Sequence, residues 1–278
     1  MTDPRESRRL VAVVTGASAG LGLAIVSRFA QAGYSVVMVG RAQSRLETAR
    51  ESLGQQVQSV VMLNVCDVTK ESEVAALFED VETRFGRLDV LVNCVGESDR
   101  GLLQHLTSQR MLSLLEVNLF STLYCTQAAL PLLEQSGGVV LNIGSLASKV
   151  GARFIGGYAV AKHALAGLTQ QFRLELLERG VHVCLLSPGP IKREDSGTRY
   201  SSRLTSELPE QAKRPGGGTR VKGLSPDDVA SVALTMVQKR QPDRVLPSYM
   251  RILISIGHLC PSLGDWLLLK FTSGGSAK

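Results

Sequence analysis

The sequence predicts an α/β fold: one doubly wound parallel sheet of about seven strands, with helices on both faces and an apolar C-terminal extension. Three observations lead there. Short β-branched runs alternate with helix-patterned stretches from end to end, the rhythm of βαβ units. Several of these runs are apolar almost throughout, as strands covered on both faces are. The first run passes directly into a glycine-rich turn that opens the first helical stretch.

The first strand is Leu10–Thr15, followed by a helix over Leu21–Ala32. Ser35–Gly40 and Val57–Asn64 are the next strands, separated by a helix over Ser44–Leu53. Glu71–Phe85 then reads as helix and Leu88–Cys94 as the fourth strand. A long helical pattern, Ser108–Gln135, leads to the strand Gly138–Ser145. Tyr158–Arg179 is the next helix, and Val181–Ser187 the sixth strand. Pro226–Arg240 and a brief strand, Arg244–Pro247, close the alternation. The stretch from Gly189 to Gly223 breaks the rhythm with glycine, serine and charge, including Gly216-Gly217-Gly218. A stretch so long reads as a lid, a binding loop or disorder. Residues 8–247, loop 189–223 included, thus make one domain, and residues 248–278 an extension.

Composition narrows the class. Of 278 residues, 44% are hydrophobic and 20% charged, enough for a substantial core. The net charge of +6 permits an anionic partner, yet no run of Lys/Arg exceeds two and no nucleic-acid motif is present. Five cysteines stand far apart without a CxxC, and the four histidines lack ligand spacing. That pattern fits reduced thiols in the cytoplasm, and no protein-bound metal. Leu10 to Val14 is too short an apolar run for a signal peptide.

Two motifs carry chemistry. Thr15-Gly16-Ala17-Ser18-Ala19-Gly20-Leu21-Gly22 sits between a strand and a helix, where glycines let the backbone approach a pyrophosphate favoured at the helix N-terminus. Tyr158 and Lys162 are four residues apart, on one face if the segment is helical. An ammonium beside a phenol favours phenolate, so such a tyrosine works as an acid or base near neutral pH. Ser145, at the end of an apolar run, offers a hydroxyl to the same substrate oxygen.

The Thr-Gly-xxx-Gly-x-Gly spacing resembles the short-chain dehydrogenase/reductase family, a Rossmann-like fold, and other motifs follow in family order over about residues 8 to 247. Asp67-Val68 matches the segment holding the adenine ring, and Asn93-Cys94-Val95-Gly96 looks like the family's Asn-Asn-Ala-Gly with its middle pair changed. Asn118, Ser145, Tyr158 and Lys162 match the catalytic asparagine, serine, tyrosine and lysine. Pro188-Gly189-Pro190-Ile191 resembles the segment beside the nicotinamide. The resemblance implies an oxidoreductase moving hydride between a nicotinamide cofactor and a carbonyl or secondary alcohol. It implies that Tyr158 gives the proton, Ser145 polarises the oxygen, Lys162 tunes the phenol and holds the ribose, and Asn118 supports a water path. It further implies homodimers or homotetramers joined through the helices of Ser108–Gln135 and Tyr158–Arg179. The alternative function is a cofactor-binding regulatory or scaffold protein without turnover.

Charge bears on cofactor choice. After the second strand stands Gly40-Arg41, with Arg45 a turn later and no acid for the NAD ribose. A guanidinium there pairs with a 2′-phosphate, favouring NADP(H) over NAD(H). Ala19 stands where some NADP-dependent relatives carry a second basic residue, and Lys192 where relatives carry threonine. Arg193, Arg199 and Arg203, with Glu194 and Asp195 among them, read as a solvated lid or as recognition of an anionic substrate group. The tail from Ser248 to Phe271 is apolar, but thirteen uncharged residues between Arg251 and Asp265, followed by charge, are too few to span a bilayer. It reads as a cleft cover, a subunit contact, or a membrane-surface contact through residues 249–271, each suited to a hydrophobic substrate.

Overall fold

A computed structural model describes residues 9–192, 208 and 221–272. Seven strands run β1 (Val11–Thr15), β2 (Ser35–Gly40), β3 (Val61–Val65), β4 (Val90–Asn93), β5 (Val139–Ile143), β6 (His182–Pro188) and β7 (Asp243–Leu246). They form one sheet of order β3-β2-β1-β4-β5-β6-β7, and every pairing is parallel. The winding reverses between β1 and β4, and such a switch point opens a crevice at the carboxyl ends of the strands.

The helices are α1 (Gly20–Gln31), α2 (Gln43–Glu51), α3 (Gln55–Gln58), α4 (Glu71–Phe85), α5 (Ser108–Leu115), α6 (Ser121–Ser136), α7 (Tyr158–Glu175), α8 (Pro226–Gln238), α9 (Met250–Leu259) and α10 (Pro261–Thr272). Alternate strand residues feed opposite apolar layers, the period-2 consequence of the pleat. Ala12 and Val14 of β1, with Val36 and Met38 of β2, join Ile25 and Phe29 of α1 and Met236 of α8. Val11 and Val13, with Val37 and Val39, face Leu77 and Phe78 of α4 and Leu133 of α6 on the other side.

The structure departs from the expected elements in two places. The run Val57–Asn64 is not one strand: its start belongs to α3, and β3 begins at Val61. Gln58 caps that turn by donating to the Leu53 carbonyl (2.5 Å), and Val57 is buried from helical geometry. The single helix Ser108–Gln135 is broken by a π-turn at Glu116–Phe120. The tail forms a hairpin of two helices, with Pro261 opening the second, where its missing N–H costs nothing. A β-carbon on Gly264 would lie 2.6 Å from Gly257 Cα, so α9 and α10 touch backbone to backbone.

Candidate active site

The glycine-rich turn is built by close approach. Gly16 and Gly20 have φ of +65° and +55°, and a β-carbon on Gly22 would lie 2.2 Å from the Gly16 carbonyl oxygen. Ala17 N–H donates to the Val39 carbonyl (3.0 Å), tying the turn to β2. Ala19 at the N-cap of α1 supplies no side-chain hydrogen bond, and the first turn carries no acid. The turn thus presents bare backbone and a positive helix end, a fit for a dinucleotide pyrophosphate. Ser18 and Leu21 belong to the same turn, and Thr15 Oγ1 accepts from Cys94 N–H (3.0 Å), joining it to the end of β4.

Asn93 faces inward. Its amide donates to Asn142 Oδ1 (2.9 Å) and Thr126 Oγ1 (3.3 Å), and Asn142 donates onward to Thr169 Oγ1 (3.0 Å). This buried ladder ties β4 and β5 to α6 and α7. Gly96 lies beyond it, and a β-carbon there would meet Asn118 Oδ1 at 3.1 Å and Lys162 Nζ at 3.2 Å.

Asn118 sits in the π-turn, fully buried. The extra residue in such a turn displaces the backbone and re-aims side chains. Its Oδ1 accepts from Glu97 N–H (3.2 Å), and its Nδ2 donates to the carbonyls of Glu97 (3.0 Å) and Leu114 (3.0 Å). Both ends of the amide are thereby fixed.

Tyr158 opens α7, and Lys162 lies one turn further along. The Lys162 ammonium lies 5.9 Å from the Tyr158 ring centroid and donates to the Ile143 carbonyl (3.0 Å) at the end of β5. Lys162 is 3% exposed. Burial pushes its ammonium down to about 8 from its ordinary 10.5, with the Cys94 sulfur acting in the opposite sense. Such an amine changes charge near neutral pH. Ser145 follows β5, caps the short turn Leu146–Ser148 by accepting from Ala147 N–H (3.1 Å), and retains its own O–H. That turn packs against α7.

The remaining expected positions ring this centre. Arg41 and Arg45 are exposed beyond β2, whose Gly40 lies against Ser18 and Leu46. Asp67 forms a local turn, accepting from Thr69 N–H (3.2 Å) and Oγ1 (2.8 Å), with Val68 buried beside it. Pro188 ends β6, and Gly189 just beyond it donates its N–H to the Leu246 carbonyl (2.7 Å). Ile191 pairs with Leu224, and Lys192 beyond it is exposed. Arg193, Glu194, Asp195, Arg199 and Arg203 lie outside the described residues. Among the described residues, no group of three His, Cys, Asp or Glu side chains is placed to hold a metal. None of their helices is long and apolar enough to cross a membrane.

Sequence reasoning missed an ionic cluster beside Asn118. Arg110 Nη2 contacts Glu97 Oε1 (2.9 Å) and Asp99 Oδ1 (3.0 Å). The pairs are thirteen and eleven residues apart, a spacing with no helical or strand periodicity, so no local signal marks them.

Comparison with known proteins bears on the fold and the family. A family model described as short chain dehydrogenase matches residues 10–203. An oxidoreductase of Staphylococcus saprophyticus, itself described as uncharacterised, is 33% identical over 237 residues, 84% of this chain and 93% of that one. An alcohol dehydrogenase of the archaeon Thermococcus sibiricus, complexed with 5-hydroxy-NADP, superposes with a TM-score of 0.71 at 28% identity, covering 86% of this chain and 97% of that one. A variant actinorhodin polyketide ketoreductase with NADPH gives 0.74 at 26% identity, covering 86% and 96%.

Proposed function

The chain belongs to the short-chain dehydrogenase family, and from that premise we propose that it is an NADP(H)-dependent oxidoreductase interconverting a carbonyl and a secondary alcohol on a hydrophobic substrate. The observation that carries this reading is the buried Lys162 ammonium, 5.9 Å from the Tyr158 ring and bonded to the end of β5. A bound nicotinamide supplies or accepts the hydride. Tyr158 is the proton donor to the substrate oxygen, and the Ser145 hydroxyl donates a hydrogen bond to the same atom. Lys162 favours the phenolate left behind and would meet the ribose. Asn118, bonded to Glu97 and converging with Lys162 on Gly96, would support a water path for protons from Lys162.

The glycine turn from Thr15 to Gly22 would hold the pyrophosphate, with Asp67 and Val68 at the adenine and Asn93, Gly96, Pro188, Gly189 and Ile191 near the nicotinamide. Arg41, exposed next to the turn, would take the 2′-phosphate. Both structural neighbours named above carry NADP-type ligands, which supports that preference.

The domain of residues 8–247 carries this chemistry, and the extension 248–278 serves as an apolar, membrane-surface rim to it. His258 at the end of α9 donates to the Lys149 carbonyl (3.0 Å), four residues past Ser145. Leu259 (87%), Ile252 (67%) and Trp266 (53%) are exposed on the hairpin, beside Arg251 and Lys270. Lys270 lies 4.8 Å from the Trp266 ring centre. An apolar tip with aromatic and cationic flanks suits an anionic bilayer surface. Leu112, Phe120, Val160, Leu174 and Leu177 are exposed along α5 to α7 and their connections, which supports pairing of two copies there.

The test is oxidation of NADPH and NADH across a carbonyl panel, beside Tyr158→Phe. Turnover with NADPH that drops by about 10²-fold or more in the variant is expected. NADPH binding without turnover on any compound would favour the regulatory alternative, and equal turnover by Tyr158→Phe would sink the mechanism.

A further inference from the structure

The segment from Gly96 to Gly101 joins two parts of the site that lie far apart in sequence. At its start, Glu97 N–H and carbonyl are both held by the Asn118 amide. At its end, Gly101 N–H donates to the Phe154 carbonyl (3.2 Å), and Gly156 N–H returns to the Gly101 carbonyl (3.2 Å). Residues 154–157 lead directly into α7, which begins at Tyr158. The segment therefore contacts the asparagine at one end and the approach to the tyrosine at the other.

Asp99 and Arg110 brace that segment. Asp99 is 5% exposed. Its Oδ2 accepts from Gly157 N–H (3.4 Å), and a β-carbon on Gly156 would lie 2.6 Å from the same oxygen. Its Oδ1 takes Arg110 Nη2 (3.0 Å) and Nε (3.3 Å). Arg110 Nη2 also reaches Glu97 Oε1 (2.9 Å). One guanidinium on α5 thus ties Glu97, which clamps Asn118, to Asp99, which clamps the start of α7. A planar donor fork can hold two carboxylates in fixed relation, and a lysine ammonium cannot do so with the same geometry. Its Nη2 has only slightly exposed surroundings, with side-chain exposures of 29% for Arg110 and 7% for Asp99, so water screens the Asp99 pair poorly.

We infer that Asp99 and Arg110 are positioning residues: through Glu97 and Gly157 they set the placement of Tyr158 relative to Asn118. The inference rests on the catalytic reading of Asn118, Tyr158 and Lys162. Neither residue contacts the reacting atoms in this scheme. Small displacements of a proton donor cost rate steeply, up to about a hundredfold for 1 Å.

The experiment compares the full-length protein with Asp99→Asn, Arg110→Met, Arg110→Lys and the double variant Asp99→Asn/Arg110→Met. Arg84→Met, which removes an exposed ion pair with Asp80 on α4, is the control for loss of a charge pair in general. Turnover with NADPH, its pH profile, NADPH binding, and amide exchange at residues 155–162 are measured on each. The expected result is a fall in kcat of about tenfold or more for Asp99→Asn and Arg110→Met, with NADPH binding retained. The pH profile shifts with it, because the environment of the proton donor has changed; a smaller folded fraction would scale the profile without moving it. Arg110→Lys recovers only part of the loss, the double variant is no worse than the worse single one, and the control matches wild type. Faster amide exchange at the start of α7 accompanies the kinetic change. Wild-type kcat, pH profile and exchange in both single variants would overturn the inference. If the wild type shows no turnover at all, the catalytic reading fails instead, and the exchange data alone decide whether the brace orders α7.

Discussion

The side-chain oxygen of Asn118 and the ammonium of Lys162 converge on one backbone position, Gly96. A β-carbon there would lie 3.1 Å from the first and 3.2 Å from the second. The two polar groups come from a π-turn and from α7, and the absence of a side chain at Gly96 is what lets them approach the same point.

Gly96→Ala is therefore expected to displace one of the two groups by a few tenths of an ångström and to lower turnover by about tenfold. NADPH titration and thermal melting should show the fold intact. Unchanged kcat would mean that the spacing between Asn118 and Lys162 has no part in the reaction.

A methyl group on Gly22 has no such latitude, because its β-carbon would sit 2.2 Å from a backbone carbonyl oxygen. Gly22→Ala should cost about 2 kcal/mol or more of stability and abolish nucleotide binding. Gly54→Ala, at a position with nothing within 4 Å, is the comparison. Urea unfolding with and without NADPH separates the two.

Arg41→Ala should raise the NADPH KM by about tenfold, the loss of one charge-assisted contact, and leave the NADH KM unchanged. An equal effect on both cofactors would place Arg41 away from the 2′-phosphate.

Burial pushes the Lys162 ammonium down to about 8 in the folded chain, so kcat/KM for carbonyl reduction should fall as pH rises through that value. Lys162→Arg, which stays charged, should remove that limb. The sign for stability is the reverse. Between about 8 and the ordinary 10.5 the unfolded chain holds the proton and the folded chain does not, so this group makes the fold more stable as pH rises across that window. Below about 8 both states hold it, and the cost of burying the charge is fully present. Urea melts of wild type and Lys162→Met at several pH values should show that slope in the wild type alone.

The hairpin tip gives a physical assay. Wild-type protein should sediment with vesicles containing anionic phospholipid and be released by salt, whereas Leu259→Asp should stay in solution. Removing residues 249–278 should have the same effect and change the substrate range. No vesicle binding by the wild type would leave the hairpin as a cover for the cleft.

Much of the fold was legible in the chain because parallel strands buried on both faces are written as unbroken apolar runs. Ser35–Gly40 and Glu71–Phe85 have the bounds their patterns predict. Val57 misled because one β-branched residue before an apolar run reads the same in a helical turn as in a strand. Tyr158 and Lys162 could be found because helical periodicity links them, and the glycine turn because its spacing is local. The π-turn at Asn118 could not, since the sequence there continues a helical pattern and only packing reveals the extra residue. The brace of Glu97, Asp99 and Arg110 was hidden for a related reason: its partners meet through tertiary geometry, at separations that no repeat encodes.

Beyond the end of β6, Ile191 and Leu224 form an isolated parallel bridge. Leu224 N–H donates to the Pro190 carbonyl (2.8 Å), and Lys192 N–H donates to the Leu224 carbonyl (2.9 Å). The residues on either side of the segment 193–223 are thereby bonded directly to each other. With both ends fixed to each other, a change in the number of residues between them adds little closure entropy. Grafting residues 193–223 from a relative between these joined ends should shift substrate preference, and an unchanged preference would count against reading that stretch as a binding loop.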